Sequence, residues 1–233
     1  ASAFVGKTQA ASAGDHMTPS GFRRGLNALQ AGFEIPNSVV TEDRTLQVGP
    51  DGQTAIRIYR PRELSTPAPA IVYMHGAGFV AGGVADHARL VCDLVTCSNS
   101  VLIFVRYDRA PEHTYPAAHD QCYSVLEYVA AHPGEFSTTA DQISIAGDSV
   151  GGAIAASCAL RAKLQNGPRI RSQVLMYPAV NLDADALNYG RLENGPWITR
   201  ETLKWAWSLY FANGENLKDP LISPYYASVD QLK

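Results

Sequence analysis

The distribution of apolar residues along the chain predicts an alternation of strands and helices. Short apolar runs, typical of strands buried on both faces, recur at 70–74, 101–105, 142–146 and 173–177. Longer stretches with apolar residues at helical spacing lie between or after them, at 87–97, 117–131 and 152–165. This order indicates right-handed crossovers and a mostly parallel, doubly wound α/β sheet.

The first part of the chain predicts an antiparallel hairpin. Segments 44–48 and 54–60 are rich in β-forming residues, and they flank the turn sequence Gly-Pro-Asp-Gly at 49–52. We therefore expect a hairpin to precede the parallel strands.

Two regions, about 1–40 and 184–217, fit the strand–helix alternation poorly, and we expect both to form a helical cap. Apolar residues recur at helical spacing in the first region, and an aromatic-rich helix is predicted after Thr199 in the second. The apolar side chains concerned are Phe22, Leu26, Leu29, Phe33, Trp205, Trp207, Leu209 and Tyr210. They are interpreted either as ordinary core packing or as the lining of an apolar acyl pocket.

Composition narrows the classes of function. The 233 residues are 46% hydrophobic and 18% charged, as in one globular domain, and a net charge of -3 provides no basic surface for nucleic acid. No apolar stretch approaches the roughly 20 residues of a membrane span. The four cysteines are too few for a disulfide scaffold and are expected to be buried free thiols. The sequence indicates no metal site.

A candidate nucleophile lies in Gly147-Asp148-Ser149-Val150-Gly151, between a predicted strand and a predicted helix of small residues. This is the context of a nucleophile elbow, in which a sharp turn lifts the serine hydroxyl above the sheet edge. Side chains at Gly147 or Gly151 are expected to collide with neighbouring backbone. The alternative interpretation is a serine that only caps the helix.

A glycine-rich loop, His75-Gly76-Ala77-Gly78, directly follows the strand predicted at 70–74. Such a loop can turn backbone N–H groups toward a substrate carbonyl and stabilise an oxyanion. The N–H of Val150, at a helix N-terminus, is a third candidate donor. His75 is interpreted as a residue that holds the loop by hydrogen bonds, with a role as catalytic base as the alternative.

Together with these motifs, three further segments carry a resemblance to a known family: Tyr107-Asp108-Arg109-Ala110-Pro111-Glu112-His113, Tyr177-Pro178 and Ile222-Ser223-Pro224. The chain resembles the hormone-sensitive-lipase-like esterases of the α/β-hydrolase fold, recognised by His-Gly-Gly-Gly and Gly-Asp-Ser-Ala-Gly-Gly. The resemblance implies that Ser149 is the nucleophile and that the N–H groups of Ala77, Gly78 and Val150 form the oxyanion hole. Ala77 and Val150 replace the usual glycine and alanine, which narrows the space around these donors.

The chain departs from the family in its histidines. The fold orders its triad as nucleophile, acid and histidine, yet no histidine follows Ser149. The six histidines lie upstream, and none is assigned as the base; they are His16, His75, His87, His113, His119 and His132. We expect a C-terminal segment beyond Lys233, or a second chain, to supply Asp and His. Residues 1–233 are thus predicted to form one α/β-hydrolase domain that lacks its last strands.

The function predicted from the sequence is a serine carboxylester hydrolase acting on short- to medium-chain neutral esters through an acyl-enzyme on Ser149. The resemblance implies a small-molecule ester substrate and no cofactor. The alternatives are a non-catalytic small-molecule binding protein of the same fold, an inactive truncated hydrolase, or an acyltransferase or amidase that uses the same serine. An unpaired edge on the last strand would favour oligomers.

Overall fold

A computed structural model describes residues 17–185 and 198–232 of the chain. Six strands form one mixed sheet in the order β1-β2-β4-β3-β5-β6. The strands are β1 (Val39–Leu46), β2 (Thr54–Pro61), β3 (Ala70–Met74), β4 (Val101–Val105), β5 (Ile143–Asp148) and β6 (Gln173–Met176). The helices of the described residues are α1 (Pro19–Gln30), α2 (Ala88–Ser98), α3 (Ala117–Ala131), α4 (Val150–Leu164), α5 (Arg200–Tyr210) and the short α6 (Val229–Leu232).

The sheet is parallel from β4 through β3 and β5 to β6, whereas β1 and β2 form the predicted antiparallel hairpin and β2 is also antiparallel to β4. Alternate side chains of the central strands enter two apolar clusters on opposite faces. One face buries Val72, Ile103 and Ile145 together with residues of α3 and α4, and the other buries Tyr73, Phe104 and Ala146 together with residues of α2. This two-sided burial explains the unbroken apolar runs of β3 and β4.

The structure corrects two expectations drawn from the sequence, one about the start of β1 and one about the burial of β6. The first strand begins at Val39 instead of residue 44. Its pairing with β2 continues to Pro61, and this pairing extends β1 beyond the residues that favour a strand by themselves. The predicted burial of the strand at 173–177 on both faces is wrong. All four residues of β6 are exposed or half-buried, because β6 pairs only with β5 among the described residues.

The cysteines are free thiols, as predicted, and all four lie in helices. Cys92, Cys122 and Cys158 are buried. The expectation of burial is wrong for Cys97, which is exposed near the last turn of α2.

Helices α1 and α5 come from the two regions predicted to form a cap. Each helix has a threonine N-cap, as Gly21 N donates to Thr18 Oγ1 and Thr202 N donates to Thr199 Oγ1, both at 3.1 Å. The helices meet where the rings of Phe22 and Trp205 pack edge to face, with centroids 5.9 Å apart. Residues 1–16 and 186–197 of the predicted cap lie outside the described residues. No described helix is long and apolar enough to cross a membrane.

Candidate functional site

Ser149 occupies the sharp turn between β5 and α4. Its backbone has φ 53° and ψ -121°, a conformation that side chains rarely adopt and that is held only where the surroundings fix it. Here Ser149 N donates to Met176 O at 2.9 Å, while Ser149 O accepts from Ala153 N at 3.1 Å and from Ala179 N at 3.0 Å. Within the described part of the chain, the partly exposed Ser149 Oγ has no hydrogen bond.

The elbow depends on backbone contacts that only glycine permits. A Cβ atom added to Gly147 would collide with Gly151 O, and one added to Gly151 would collide with Met74 O. Helix α4 therefore begins in direct backbone contact with β3 and β5. This contact sets the angle at which Ser149 leaves the sheet.

The loop after β3 exposes two candidate oxyanion donors. Ala77 and Gly78 have φ values of 81° and 67°, and the loop is closed by Val80 N and Ala81 N, which both donate to Ala77 O. Across the described residues, the N–H groups of Ala77, Gly78 and Val150 donate to no acceptor. All three follow the carboxyl ends of β3 and β5, which are neighbouring parallel strands.

Asp148 joins the elbow to this loop. Its Oδ1 accepts from Gly76 N at 2.9 Å and from Tyr73 Oη at 2.6 Å. His87 Nε2 lies 3.4 Å from the same oxygen. Burial would raise the pKa of Asp148, but the interactions with His87 and Tyr73 outweigh burial and lower it. The carboxylate is therefore ionised and ties two loops of the site together.

His75 lies under the loop and is not hydrogen-bonded to Ser149. Its Nδ1 is 2.9 Å from Gly76 O, and its ring stacks on Tyr107 with centroids 4.1 Å apart. Burial lowers the pKa of His75 to about 3, so the ring is neutral at physiological pH. In a neutral imidazole, the nitrogen that faces a carbonyl oxygen carries the proton, so His75 donates from Nδ1 to Gly76 O. This geometry is the one expected of a residue that holds the loop.

Three further histidines have partners away from the nucleophile. His119 Nδ1 lies 2.9 Å from Tyr210 Oη, and burial lowers the pKa of His119 to about 3. His132 Nδ1 lies 3.0 Å from Tyr128 O. His113, with Asp51 and Asp108, forms the one group of three metal-ligating side chains found among the described residues. No described histidine is hydrogen-bonded to Ser149, and His16 lies outside the described residues.

Both candidate cap helices contact the loop. A Cβ atom added to Gly78 would lie 3.2 Å from Ala206 Cβ of α5 and 3.8 Å from the Phe22 ring of α1. Arg23 of α1 donates from Nε to Val80 O at 2.8 Å and forms an ion pair with Glu112 at 2.6 Å. The space above Gly78 is thus bounded by apolar side chains.

Sequence reasoning missed His87. Its partner Asp148 was recognised only as part of the elbow motif, and the two residues are 61 positions apart. The available signal was an acidic residue next to a buried strand, because a buried charge requires a partner.

Known proteins of similar sequence and structure share this fold. A family model described as the alpha/beta hydrolase fold matches residues 71–233. A carboxylesterase of Mycobacterium tuberculosis is 30% identical over 204 residues, which are 87% of this chain and 63% of that protein. An esterase of Gibberella moniliformis is 30% identical over 201 residues, 85% of this chain and 63% of that protein.

The solved structure of a thermostable esterase from Pseudomonas putida superposes with a TM-score of 0.91 at 30% identity, covering 99% of this chain and 74% of that one. The chain spans about three fifths of the length of the curated relatives it matches. The sheet order, the elbow and the sequence similarity of this chain all indicate the same family. The chain belongs to the hormone-sensitive-lipase-like esterase family of the α/β-hydrolase fold.

Proposed function

We propose that the chain carries the nucleophile and the oxyanion hole of a serine carboxylester hydrolase. The observation that carries the proposal is the set of N–H groups of Ala77, Gly78 and Val150, which follow two neighbouring strand ends and donate to no described acceptor. Unsatisfied N–H donors are costly unless a ligand or water binds them. An oxyanion beside Ser149 is the ligand that uses such donors best.

The reaction proceeds in two steps. Ser149 Oγ attacks the ester carbonyl carbon as its proton passes to a base, and the carbonyl oxygen becomes an oxyanion held by the three N–H groups. The C–O bond to the alcohol then breaks, and the alcohol leaves with a proton. Water attacks the resulting acyl-enzyme in the same way, and the carboxylic acid is released.

We propose that the base and its acid come from a C-terminal segment or a second chain that joins the sheet at β6. Two observations support this assignment. The outer edge of β6 has no described neighbour, and Val174 on this strand is 44% exposed. In addition, Ser149 N is hydrogen-bonded to Met176 O at the carboxyl end of β6. Loops after a further parallel strand would reach the same edge as the nucleophile.

The substrate class follows from what surrounds the donors. Gly78 faces the apolar side chains of Ala206 and Phe22. The buried carboxylate of Asp148 is already paired with His87 and is not available to a charged substrate. These features favour a neutral ester, and the methyl of Ala77 beside the donors favours short to medium chains over bulky ones.

Labelling with a fluorophosphonate tests the proposal, because this reagent reacts only with activated serines. The native protein is isolated with any segment or partner it carries, treated with the reagent, and analysed by intact and peptide mass spectrometry. We expect one adduct, at Ser149, which the variant Ser149→Ala abolishes. Ser172→Ala is the matched control, since this hydroxyl forms an exposed pair with Ser144 and should not affect labelling.

The mass of the labelled species also identifies the source of the base. A longer chain or a second chain in that species supports a base supplied from outside the described residues. A native protein that carries every such segment and remains unlabelled would overturn the hydrolase proposal. The alternative of a small-molecule binding protein would then be favoured, since the space above Gly78, bounded by Ala206 and Phe22, would remain without the chemistry.

A further inference from the structure

His87 lies beside the nucleophile elbow, between two hydrogen-bond acceptors. His87 is 8% exposed and directly precedes α2. Its Nδ1 lies 3.2 Å from Gly83 O, and its Nε2 lies 3.4 Å from Asp148 Oδ1. Both ring nitrogens therefore face oxygens that only accept hydrogen bonds. A neutral imidazole carries one N–H and can satisfy one of them, whereas the imidazolium ion satisfies both.

The charges around His87 also favour its protonated form. Burial would lower the pKa of His87, but the interaction with Asp148, the carbonyl of Gly83 and the charge of Asp86 together raise it. Tyr73 of β3, whose ring is 6.4 Å away, and the neutral His75, at 5.4 Å, also face it. The charged Arg109 lies in the same region and donates to Gly82 O, next to Gly83.

Asp148 transmits the state of His87 to the oxyanion loop. Its Oδ1 holds Gly76 N at 2.9 Å, and Gly76 directly precedes Ala77, the first candidate donor. Without the imidazolium, the buried carboxylate would retain hydrogen bonds from Gly76 and Tyr73 but would lose its counter-charge. An uncompensated buried carboxylate is strongly destabilised and is drawn toward water, away from its place under the loop.

We infer that His87 is a positioning residue, whose imidazolium ion pairs with Asp148 and thereby fixes Gly76 and the oxyanion loop. This inference rests on the proposed function, because it assigns a regulation to that same site. The pair has a second effect on the reaction. A lone negative charge next to the loop would oppose the developing oxyanion, and the positive charge of His87 cancels it.

The direction of the pH dependence follows from the raised pKa. The stabilisation by His87 is fully present below the ordinary histidine pKa of 6.5 and is lost as the pH rises through the higher pKa of the folded protein. The oxyanion loop is therefore expected to loosen on the alkaline side. The effect on a neutral ester falls on kcat more than on KM, since the loop acts on the transition state.

The experiment measures the loop and the histidine without requiring catalysis. Imidazole NMR follows the protonation of His87, and amide hydrogen exchange follows Gly76, both in the native protein between pH 6 and pH 9. Exchange rates are corrected for their intrinsic pH dependence. We expect the protection of Gly76 to fall at least about fivefold as His87 loses its proton, as is usual for two coupled sites.

The variant His87→Gln removes the charge and should show the lower protection already at pH 6. His132→Gln is the matched control, because His132 is exposed and packs on Tyr128, with its Nδ1 beside Tyr128 O and its ring stacked on the Tyr128 ring. Titration of His87 below the ordinary value, or constant protection of Gly76 across its titration, would overturn the inference even if Ser149 is labelled. If the protection of Gly76 follows the titration of His87 but Ser149 is not labelled, the inference is supported and only the hydrolase proposal is overturned.

Discussion

Replacing Gly151 by alanine tests whether backbone contact between α4 and β3 creates the elbow. The new Cβ atom would collide with Met74 O and would lie 2.5 Å from both His75 C and His75 O. Real Cβ atoms essentially never approach other atoms within 3.0 Å. All three obstacles are backbone atoms, so no side-chain rotation can relieve the clash, and α4 must move away from the sheet.

The expected cost follows from that movement. Overpacking a dense interior costs about 1–3 kcal/mol, and more when the obstacle is rigid. We therefore expect Gly151→Ala to lower the free energy of unfolding by at least about 3 kcal/mol. In a domain of this size, that loss corresponds to a decrease in Tm of roughly 6–12 °C. Urea unfolding followed by tryptophan fluorescence, together with calorimetry, measures both quantities.

Gly134→Ala is the matched control for this substitution. Gly134 has no positive φ, and a Cβ atom added there would meet nothing within 4 Å. We expect the free energy of unfolding of this variant to remain within about 1 kcal/mol of the original value, with a small gain from reduced freedom of the unfolded chain. A Gly151→Ala protein as stable as the Gly134→Ala protein would refute the proposed contact between α4 and β3.

Two further predictions concern the loop and the cap. Ala77→Gly relieves a positive φ of 81° and removes a methyl group, so the free energy of unfolding should stay within about 1 kcal/mol of the original. The kcat/KM for esters of bulky alcohols should rise relative to that for ethyl esters. An unchanged ratio would contradict the idea that the Ala77 methyl narrows the space around the donors. The ion pair with Arg23 lowers the pKa of Glu112 to about 2. The stabilisation of the fold by this ion pair is therefore present above the ordinary pKa of 4.5 and decreases as the pH falls toward 2. Because Glu112 is 57% exposed, a double-mutant cycle of Arg23→Ala and Glu112→Ala should give a coupling free energy of no more than about 1 kcal/mol at pH 7. A coupling free energy that is unchanged at pH 3 would refute the assignment of this stabilisation to the ion pair.

The central strands could be predicted from the sequence because they are buried on both faces. The bounds of β3 and β4 agree with the apolar runs at 70–74 and 101–105. The strand β1 was harder, since its early residues, including Glu42 and Asp43, are polar and owe their extended conformation to pairing with β2. Tertiary pairing overrides local propensity at such positions.

The site was predictable where its parts are contiguous in the chain. The elbow around Ser149 and the loop around Gly76 are each local motifs that follow a strand. The pairing of His87 with Asp148 depends instead on how α2 packs on the face of the sheet that buries Tyr73 and Phe104, and no local pattern encodes that distance. The exposure of β6 could not be predicted from a local pattern either, because it depends on whether another strand pairs with the outer edge of β6.

The position of the site on β3 and β5 has a consequence for protein engineering. These strands are the innermost parallel pair of the sheet, with neighbours on both sides. By contrast, α1 and α5 reach the loop through side chains, among them Phe22, Ala206 and Tyr210, whose ring stacks on Phe79. Under the proposed function, the strands would carry the chemistry, and the two helices would contribute to the selection of substrate. Libraries randomised in the two helices can search for new substrates while the strands preserve the geometry of the reacting atoms.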